Sequence, residues 1–341
     1  MGHVKKRDRG KPLSIWRERE SIASEEVESM VVIIDGPGCG WSRKSGCLMC
    51  GYNNEVMDAE ISSKELMSQL DTMINEYNGE KYIKIYTSGS FLDPDEIPLM
   101  VQEYAVKSIY ELGEDIRLLI ESRPEFVKWE GLKRLKKNNM DIEIAIGLET
   151  YNDDVRNHLI RKGFGLSDYI KAGQKIIDSD MNLKTYLLQK PPFLGEKRSI
   201  DDCTNSIKKI AGLFPSTRIS VNPMNVQKKT IVEKLFFSGL YRPPWLRSVM
   251  EVLYTGSIET NGSVHLMSSP TGGGKRRGAH DCGGCDQDHL RIIEEFSIYN
   301  KPEILRTKDD CCTSYWEDFC SSSIHSPIGA DSNDARMELV H

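Results

Sequence analysis

Residues 36–52 read GPGCGWSRKSGCLMCGY, which puts Cys39, Cys47 and Cys50 into one glycine-rich loop. The next cysteine in the sequence is Cys203. A structural zinc site takes four ligands and a disulfide takes two, whereas three thiolates leave a metal centre one open position. A dinucleotide-binding loop would need glycine at position 41, where Trp41 stands. A redox dithiol made of Cys47 and Cys50 leaves Cys39 idle. A zinc site would have to borrow a distant fourth ligand. An iron–sulfur cluster held by three thiolates uses every cysteine, and small residues beside them let backbone amides approach the sulfides.

A second group of candidate ligands follows in HDCGGCD and DDCCTSYW. A Cys-x2-Cys knuckle with later cysteines is a structural-zinc pattern. Adjacent cysteines rarely serve one ion together, so the expected ligands are Cys282, Cys285, Cys312 and His280, with Cys311 as the alternative. A second cluster is the competing metal. Cys203 and Cys320 read as bystanders.

These groups need elements to hold them. SMVVIIDGPG is an apolar β-branched run stopped by Gly and Pro, hence a buried strand. KYIKIYTSGS, DIRLLIESRPE, DIEIAIGLET, NLKTYLLQKPP and TRISVNPMN read the same way, each followed by a helical pattern. Ser62 and Glu65 form a capping box ahead of one such helix. Six strand–helix units in succession mean parallel β/α architecture. At every strand end stands a polar or glycine-rich group: the cysteine loop, Thr87 to Ser90, Glu121 to Arg123, Glu149, Gln189 with Lys190, and Asn222 to Asn225. A barrel gathers such ends around one mouth, where barrel enzymes do chemistry. The expected fold is α/β, a partial (β/α)6 TIM-type barrel with a C-terminal cysteine-rich (zinc) module.

The expected boundaries are a basic N-terminal extension at 1–28, the barrel at 29–227, the C-terminal module at 228–320 and a flexible tail at 321–341. Within the module a helix is expected over PPWLRSVMEVLYTG and a hairpin around Asn261-Gly262. Length fits this plan: 341 residues exceed one small core, and 39% hydrophobic with 28% charged residues reads as globular. No apolar run reaches membrane-spanning length and no secretory signal is recognisable, so the expected compartment is the cytoplasm. Nine cysteines there favour metal chemistry over disulfides. The net charge of −6 speaks against a surface that binds nucleic acid throughout. Basic residues nevertheless cluster at Lys5 to Lys11, at Lys128 to Lys137, and at Lys275, Arg276 and Arg277 inside TGGGKRRGAH. That last segment lacks the P-loop residues, since Ser269 and Arg276 stand where Gly and Ser or Thr are needed.

The loop GCGWSRKSGCLMCGYNNE, with YTSGSFLDP, IESRPEFV, AIGLETYNDDVRNHLIRKG and LKTYLLQKPPFLGE, resembles the radical S-adenosylmethionine (SAM) superfamily. Most members carry Cys-x3-Cys-x2-Cys; here the first interval is stretched to seven residues, as in several branches. The similarity runs over about residues 30 to 320 and is strongest to the archaeal archaeosine-biosynthesis branch, RaSEA. The resemblance implies a 4Fe–4S cluster on Cys39, Cys47 and Cys50, its fourth iron binding SAM. It implies that Ser88, Gly89 and Ser90 line the SAM methionine, in place of a family Gly-Gly-Glu motif absent here. Glu121, Ser122 and Arg123 would stand near its ribose and carboxylate. Gln189 and Asn222 are assigned to the same cofactor, and Glu149, facing SAM or substrate, is the catalytic candidate.

In this branch a low-potential electron donor feeds the cluster, and a 5′-deoxyadenosyl radical takes a hydrogen atom from the substrate. The implied substrate is tRNA in which a 7-cyano-7-deazaguanine has received lysine from a partner, the lysine-transferring archaeosine synthase subunit. Cleaving the C–N bond of the lysine side chain leaves the archaeosine amidine. Lys275, Arg276 and Arg277 are the expected tRNA-backbone contacts. The alternatives are another radical SAM tRNA-modifying enzyme, Elongator-like or methylthiotransferase-like, and a non-catalytic iron–sulfur electron-transfer or assembly protein.

Overall fold

The computed structural model describes residues 8–23, 25–55, 60–136, 140–306 and 311–321. Lys5, Lys6 and Arg7 of the first basic cluster, Lys137 of the second, and the expected tail beyond Ser321 lie outside the described residues. The protein divides into two compact units. Unit one takes Met1–Lys44, Tyr52–Ile146 and Ser167–Leu183; unit two takes Ser45–Gly51, Gly147–Leu166 and Lys184–His341.

Unit one is built on strands β1 (Ser14–Ile22), β2 (Glu25–Ile33), β3 (Tyr82–Tyr86), β4 (Arg117–Glu121) and β5 (Asp141–Glu149), neighbours in that order. β1 and β2 pair antiparallel, with Ser14 opposite Ile33. From β2 onward the pairs are parallel, with Val32 opposite Ile85, Ile83 opposite Leu118, and Leu118 opposite Ile142. These residues are fully buried, as expected of parallel strands covered on both faces. Helix α1 (Ser63–Glu76) begins as the capping box requires: Ser62 Oγ accepts the Glu65 N–H at 3.2 Å, and the Glu65 carboxylate accepts the Ser62 N–H at 2.8 Å. Leu66, Leu70 and Met73 on its inner face are buried. Helices α2 (Leu99–Tyr110), α3 (Trp129–Leu135) and α4 (Leu166–Asp178) follow β3, β4 and β5.

Unit two contains β6 (Asn182–Gln189), β7 (Arg218–Pro223) and β8 (His265–Met267), again parallel neighbours in order. Helix α5 (Glu196–Leu213) joins β6 to β7. The module that follows holds α6 (Ile231–Phe237), α7 (Leu246–Glu259), α8 (Asp286–Tyr299) and α9 (Thr313–Ser321). A π-helical turn at Val155–Ile160 comes first in the helical pattern expected after β5.

The six expected strands are β2 to β7; β1 and β8 are additions. The hairpin expected at Asn261-Gly262 does not form. The apolar period of Val249, Val252, Leu253 and Gly256 carries α7 on to Glu259. Asn261 (φ 48°) and Gly262 (φ 66°) then close the helix in the left-handed region, their amides on Ile258 O and Ser257 O. The backbone returns into β8 parallel to β7, not antiparallel to a partner beside it. Among the described residues, no helix is long and apolar enough to cross a membrane.

Candidate active site and metal centre

In unit one, Cys39 sits where two hydrogen bonds hold the backbone. The Cys39 N–H donates to Asn53 Oδ1 at 3.0 Å, and the Gly40 N–H donates to Glu96 Oε1 at 2.6 Å. The other Glu96 oxygen accepts the Ser90 N–H at the end of β3. Glu96 is 3% exposed. Burial pushes its carboxyl up to about 6, against the pull of the two amides. A Cβ on Gly89 would lie 1.8 Å from Glu96 Oε2, so any side chain there would displace this carboxylate. This carboxylate ties the cysteine loop to the TSGS strand end, a role missing from the expected site residues. Its only signal in sequence is an acid between a DPD turn and the buried Ile97, which reads as an ordinary turn residue.

The expected cofactor residues of unit one fall around this joint. Ser88 and Glu121 are half-buried. Ser90 is fully buried, and its Oγ accepts the Arg123 N–H at 3.1 Å. Ser122, also buried, donates its hydroxyl to Arg123 O at 3.0 Å. The Arg123 guanidinium donates to Glu125 Oε1 at 2.6 Å and lies 5.3 Å from the ring centroid of Trp41, in the cysteine loop. Ser90, Ser122 and Arg123 are therefore knitted to one another and to the loop.

In unit two, Cys47 and Cys50 are half-buried. Leu48 N–H donates to Ile160 O at 2.9 Å, and Gly51 N–H to the Gln227 side chain. Cys47 and Met49 pack on an apolar cluster that includes Ile160, Leu188, Met224, Val226 and Val232. Glu149, last in β5, has a left-handed backbone (φ 70°), and its carboxylate takes Lys162 Nζ at 2.5 Å. Lys190, just after β6, is likewise left-handed (φ 59°) and pairs with Glu196 at 2.5 Å. Such backbone in a non-glycine residue costs about 1–3 kcal/mol and clusters where function demands a fixed side chain. Gln189 is fully buried, and neither side-chain amide atom has a hydrogen-bond partner among the described residues. An unpaired buried amide costs roughly 1–3 kcal/mol per group unless a ligand meets it. Asn222 is half-buried, its Oδ1 accepting from Ser220 Oγ at 2.9 Å. Within unit two, the half-buried thiols of Cys47 and Cys50 and the orphan amide of Gln189 at a strand end are donor types that fit a thiolate-bound cluster with a polar cofactor.

The C-terminal cysteines form a closed group. The sulfurs of Cys282, Cys285, Cys311 and Cys312 all lie within 4.8 Å of one another. The separations are 3.4 Å for Cys282–Cys311, 3.1 Å for Cys285–Cys311, and 3.9 Å for both Cys282–Cys285 and Cys312–Cys285. A tetrahedral ion with bonds of about 2.3 Å requires sulfurs about 3.8 Å apart, so four thiolates here fit one ion. His280 is not in this group of mutually close ligand atoms; its Nδ1 lies 2.8 Å from Gly278 O. Cys311 takes the place expected for it, and both adjacent cysteines face the same point. The Cys312 thiol and the Cys285 amide donate to Cys282 and bring its thiol down to about 6, while burial pushes Cys312 up.

The three expected tRNA contacts differ in environment. Lys275 and Arg276 are exposed. Arg277 is held inward, donating to Val226 O at 2.9 Å and Glu233 Oε1 at 2.6 Å. The glycines here serve packing: a Cβ on Gly278 would lie 2.1 Å from Gly272 O.

Residues 33–189 match the Radical SAM superfamily, the class of enzymes that pair a 4Fe–4S cluster with SAM. The protein is 33% identical over 320 residues to the archaeosine synthase subunit beta of Methanosarcina acetivorans, an alignment spanning 92% of this sequence and 91% of that one. To the subunit of the same name from Thermococcus kodakarensis it is 31% identical over 313 residues, spanning 89% and 95%. The protein belongs to the radical SAM superfamily and, within it, to the family of archaeosine synthase beta subunits. A solved archaeal Elp3 from Methanocaldococcus infernus shares the fold, with a TM-score of 0.51 at 14% identity over 69% of this sequence and 59% of that one. The partial-barrel class expected from the strand–helix alternation is thereby borne out.

Proposed function

We propose that this protein is a tRNA-modifying lyase that cleaves the C–N bond of the lysine side chain on a lysine-bearing 7-cyano-7-deazaguanine, leaving the archaeosine amidine. The observation that carries this reading is identity of 33% along nearly the whole of both proteins to an archaeosine synthase subunit beta. Cys39, Cys47 and Cys50 would hold the 4Fe–4S cluster. When bound, cluster and SAM supply one-electron cleavage of the sulfonium and hydrogen-atom abstraction from the substrate.

The protein's own residues supply position. Glu96 and Arg123 fix the cysteine loop through Gly40 and Trp41. Ser88, Gly89, Glu121 and Asn222 belong to the SAM site, with Ser90 and Ser122 acting through Arg123. The unpaired amide of Gln189 offers one donor and one acceptor to that cofactor. Glu149, held by Lys162, would face the reacting end of SAM or the substrate. The four C-terminal thiolates would bind Zn2+ as a structural ion, and Lys275 and Arg276 would meet tRNA phosphates.

The relatives are beta subunits, which supports a partner subunit; we take that partner to be the one that installs lysine. A low-potential electron donor and a cytoplasmic location complete the proposal. Anaerobic incubation with SAM and a strong reductant tests it. Lysine-bearing tRNA should stimulate 5′-deoxyadenosine release above that seen with unmodified tRNA. Absence of any SAM cleavage would leave an electron-transfer protein instead.

A further inference from the structure

Helix α6 and the loop beside it carry apolar side chains that the fold leaves in solvent. Phe237 is 66% exposed and Leu240 52%. The rings of Phe236 and Phe237 meet edge to face, centroids 5.4 Å apart. Arg276 lies 5.2 Å from the Phe236 centroid and Arg277 lies 5.7 Å from that of Phe237. Arg277 is fixed from below by Glu233 and Val226 O, so its guanidinium and the ring beside it keep one arrangement. Lys228 and Lys229 just before α6, Lys234 on it, and Lys275 and Arg276 on the segment that meets its rings are all exposed. Glu233 meets the charge of Arg277, and six cations to one carboxylate make this surface net positive on a protein whose net charge is −6.

We propose that this surface is a stacking site for a single-stranded stretch of RNA, with a base on Phe237 and the flanking phosphates on Lys228, Lys229, Lys234, Lys275 and Arg276. It rests on the reading that the substrate is tRNA. The chemistry selects the occupant. An unstacked base presents an apolar π-face beside a phosphate, and the patch presents an open ring beside cations. Duplex RNA hides its base faces and would leave Phe237 in water. An apolar protein partner would cover the Phe237 ring only by desolvating the arginines beside it.

The patch is continuous with the cysteine segment of unit two. Leu235 and Phe236 pack on the same apolar cluster as Cys47 and Met49, and Gln227, next to Lys228, accepts the Gly51 amide. A strand seated here would run beside Cys47 to Gly51. A base that undergoes chemistry must leave its stack, and holding its neighbour on an aromatic ring offsets part of that cost.

Anisotropy titrations of the full-length protein test the site, using unmodified tRNA, a short labelled single-stranded RNA of mixed sequence, and the same strand in duplex. Phe237→Ala should weaken single-strand binding by about five- to a hundredfold, with the salt dependence unchanged. Phe237→Trp should restore it. Changing Lys228, Lys229 and Lys234 to Gln should weaken binding and lower the logarithmic salt slope, by roughly 0.7 for each lost phosphate contact. Phe237 is exposed, so an unchanged unfolding midpoint is expected and excludes misfolding as the cause. Parent-like affinity of Phe237→Ala for tRNA and single strand would overturn this site while leaving the tRNA reading intact. So would tighter binding of the duplex, or a parent dimer dispersed by the same change. A parent that binds no RNA at all would overturn both.

Discussion

Glu96 receives the Gly40 amide on one carboxylate oxygen and the Ser90 amide on the other, so one buried side chain joins the loop of Cys39 to the end of β3. Changing Glu96 to Ala removes the acceptor of two amides at a buried joint, a loss of about 2–6 kcal/mol at roughly 1–3 kcal/mol for each buried donor left without a partner. The loop should then hold Cys39 poorly, and reconstituted iron per molecule should fall together with the unfolding midpoint. Glu96→Gln, which keeps one acceptor oxygen, should fall between. Gly89→Ala should resemble Glu96→Ala, since its methyl would displace the carboxylate. Full iron content and a parental midpoint in Glu96→Ala would show that the joint is dispensable.

The strands β2 to β7 are legible in sequence because burial on both faces leaves short apolar runs stopped by polar ends. β1 is hidden because SIWRERESI carries Glu18 and Glu20, whose partner is Lys84, 64 residues beyond Glu20 and buried on β3. A charged strand satisfied by so remote a residue reads as a basic extension. Cys39, Cys47 and Cys50 announce themselves by type and spacing. Glu96 does not, because its importance lies in two backbone amides brought to it by folding. His280 misleads for the reverse reason: spacing offers it as a ligand, while folding brings Cys311 and not the His280 ring into the group with the other three sulfurs.

The C-terminal site should bind about one zinc per molecule. Cys282→Ser or Cys311→Ser should lose most of it, whereas His280→Ala should keep it, as metal analysis of purified protein will register. Helix α9 follows Cys312 directly and has no buried residue of its own. Its Trp316 donates to Ser248 Oγ at 2.8 Å, and Phe319 packs edge to face on Trp245. Chelation should therefore release α9 first, raising proteolysis between Cys312 and Ser321 before the rest of the protein unfolds. Zinc lost from His280→Ala and kept in Cys311→Ser would reverse the ligand assignment.

Asp202 gives a pH signature. Burial pushes its carboxyl from the usual 3.8 up to about 6, opposed by the Thr150 hydroxyl and Arg156. The folded state thus binds this proton more tightly than the unfolded state. Its stabilising term is complete below pH 3.8 and is lost as pH rises through about 6. The swing is on the order of 2–3 kcal/mol. Asp202→Asn should flatten that part of the pH–stability curve and raise stability at neutral pH. An unchanged slope between about pH 4 and 6.5 in the variant would place the titration elsewhere.

The most direct measurement of the central claim is mass spectrometry of nucleosides from tRNA carrying the lysine-modified 7-deazaguanine, after anaerobic incubation with reconstituted protein, SAM and a strong reductant. The lysine-bearing nucleoside should disappear and archaeosine should take its place in a reaction abolished by Cys39→Ala, Cys47→Ala or Cys50→Ala. Abundant 5′-deoxyadenosine with the lysine-bearing nucleoside left whole, or archaeosine formed undiminished by the cysteine variants, would contradict it.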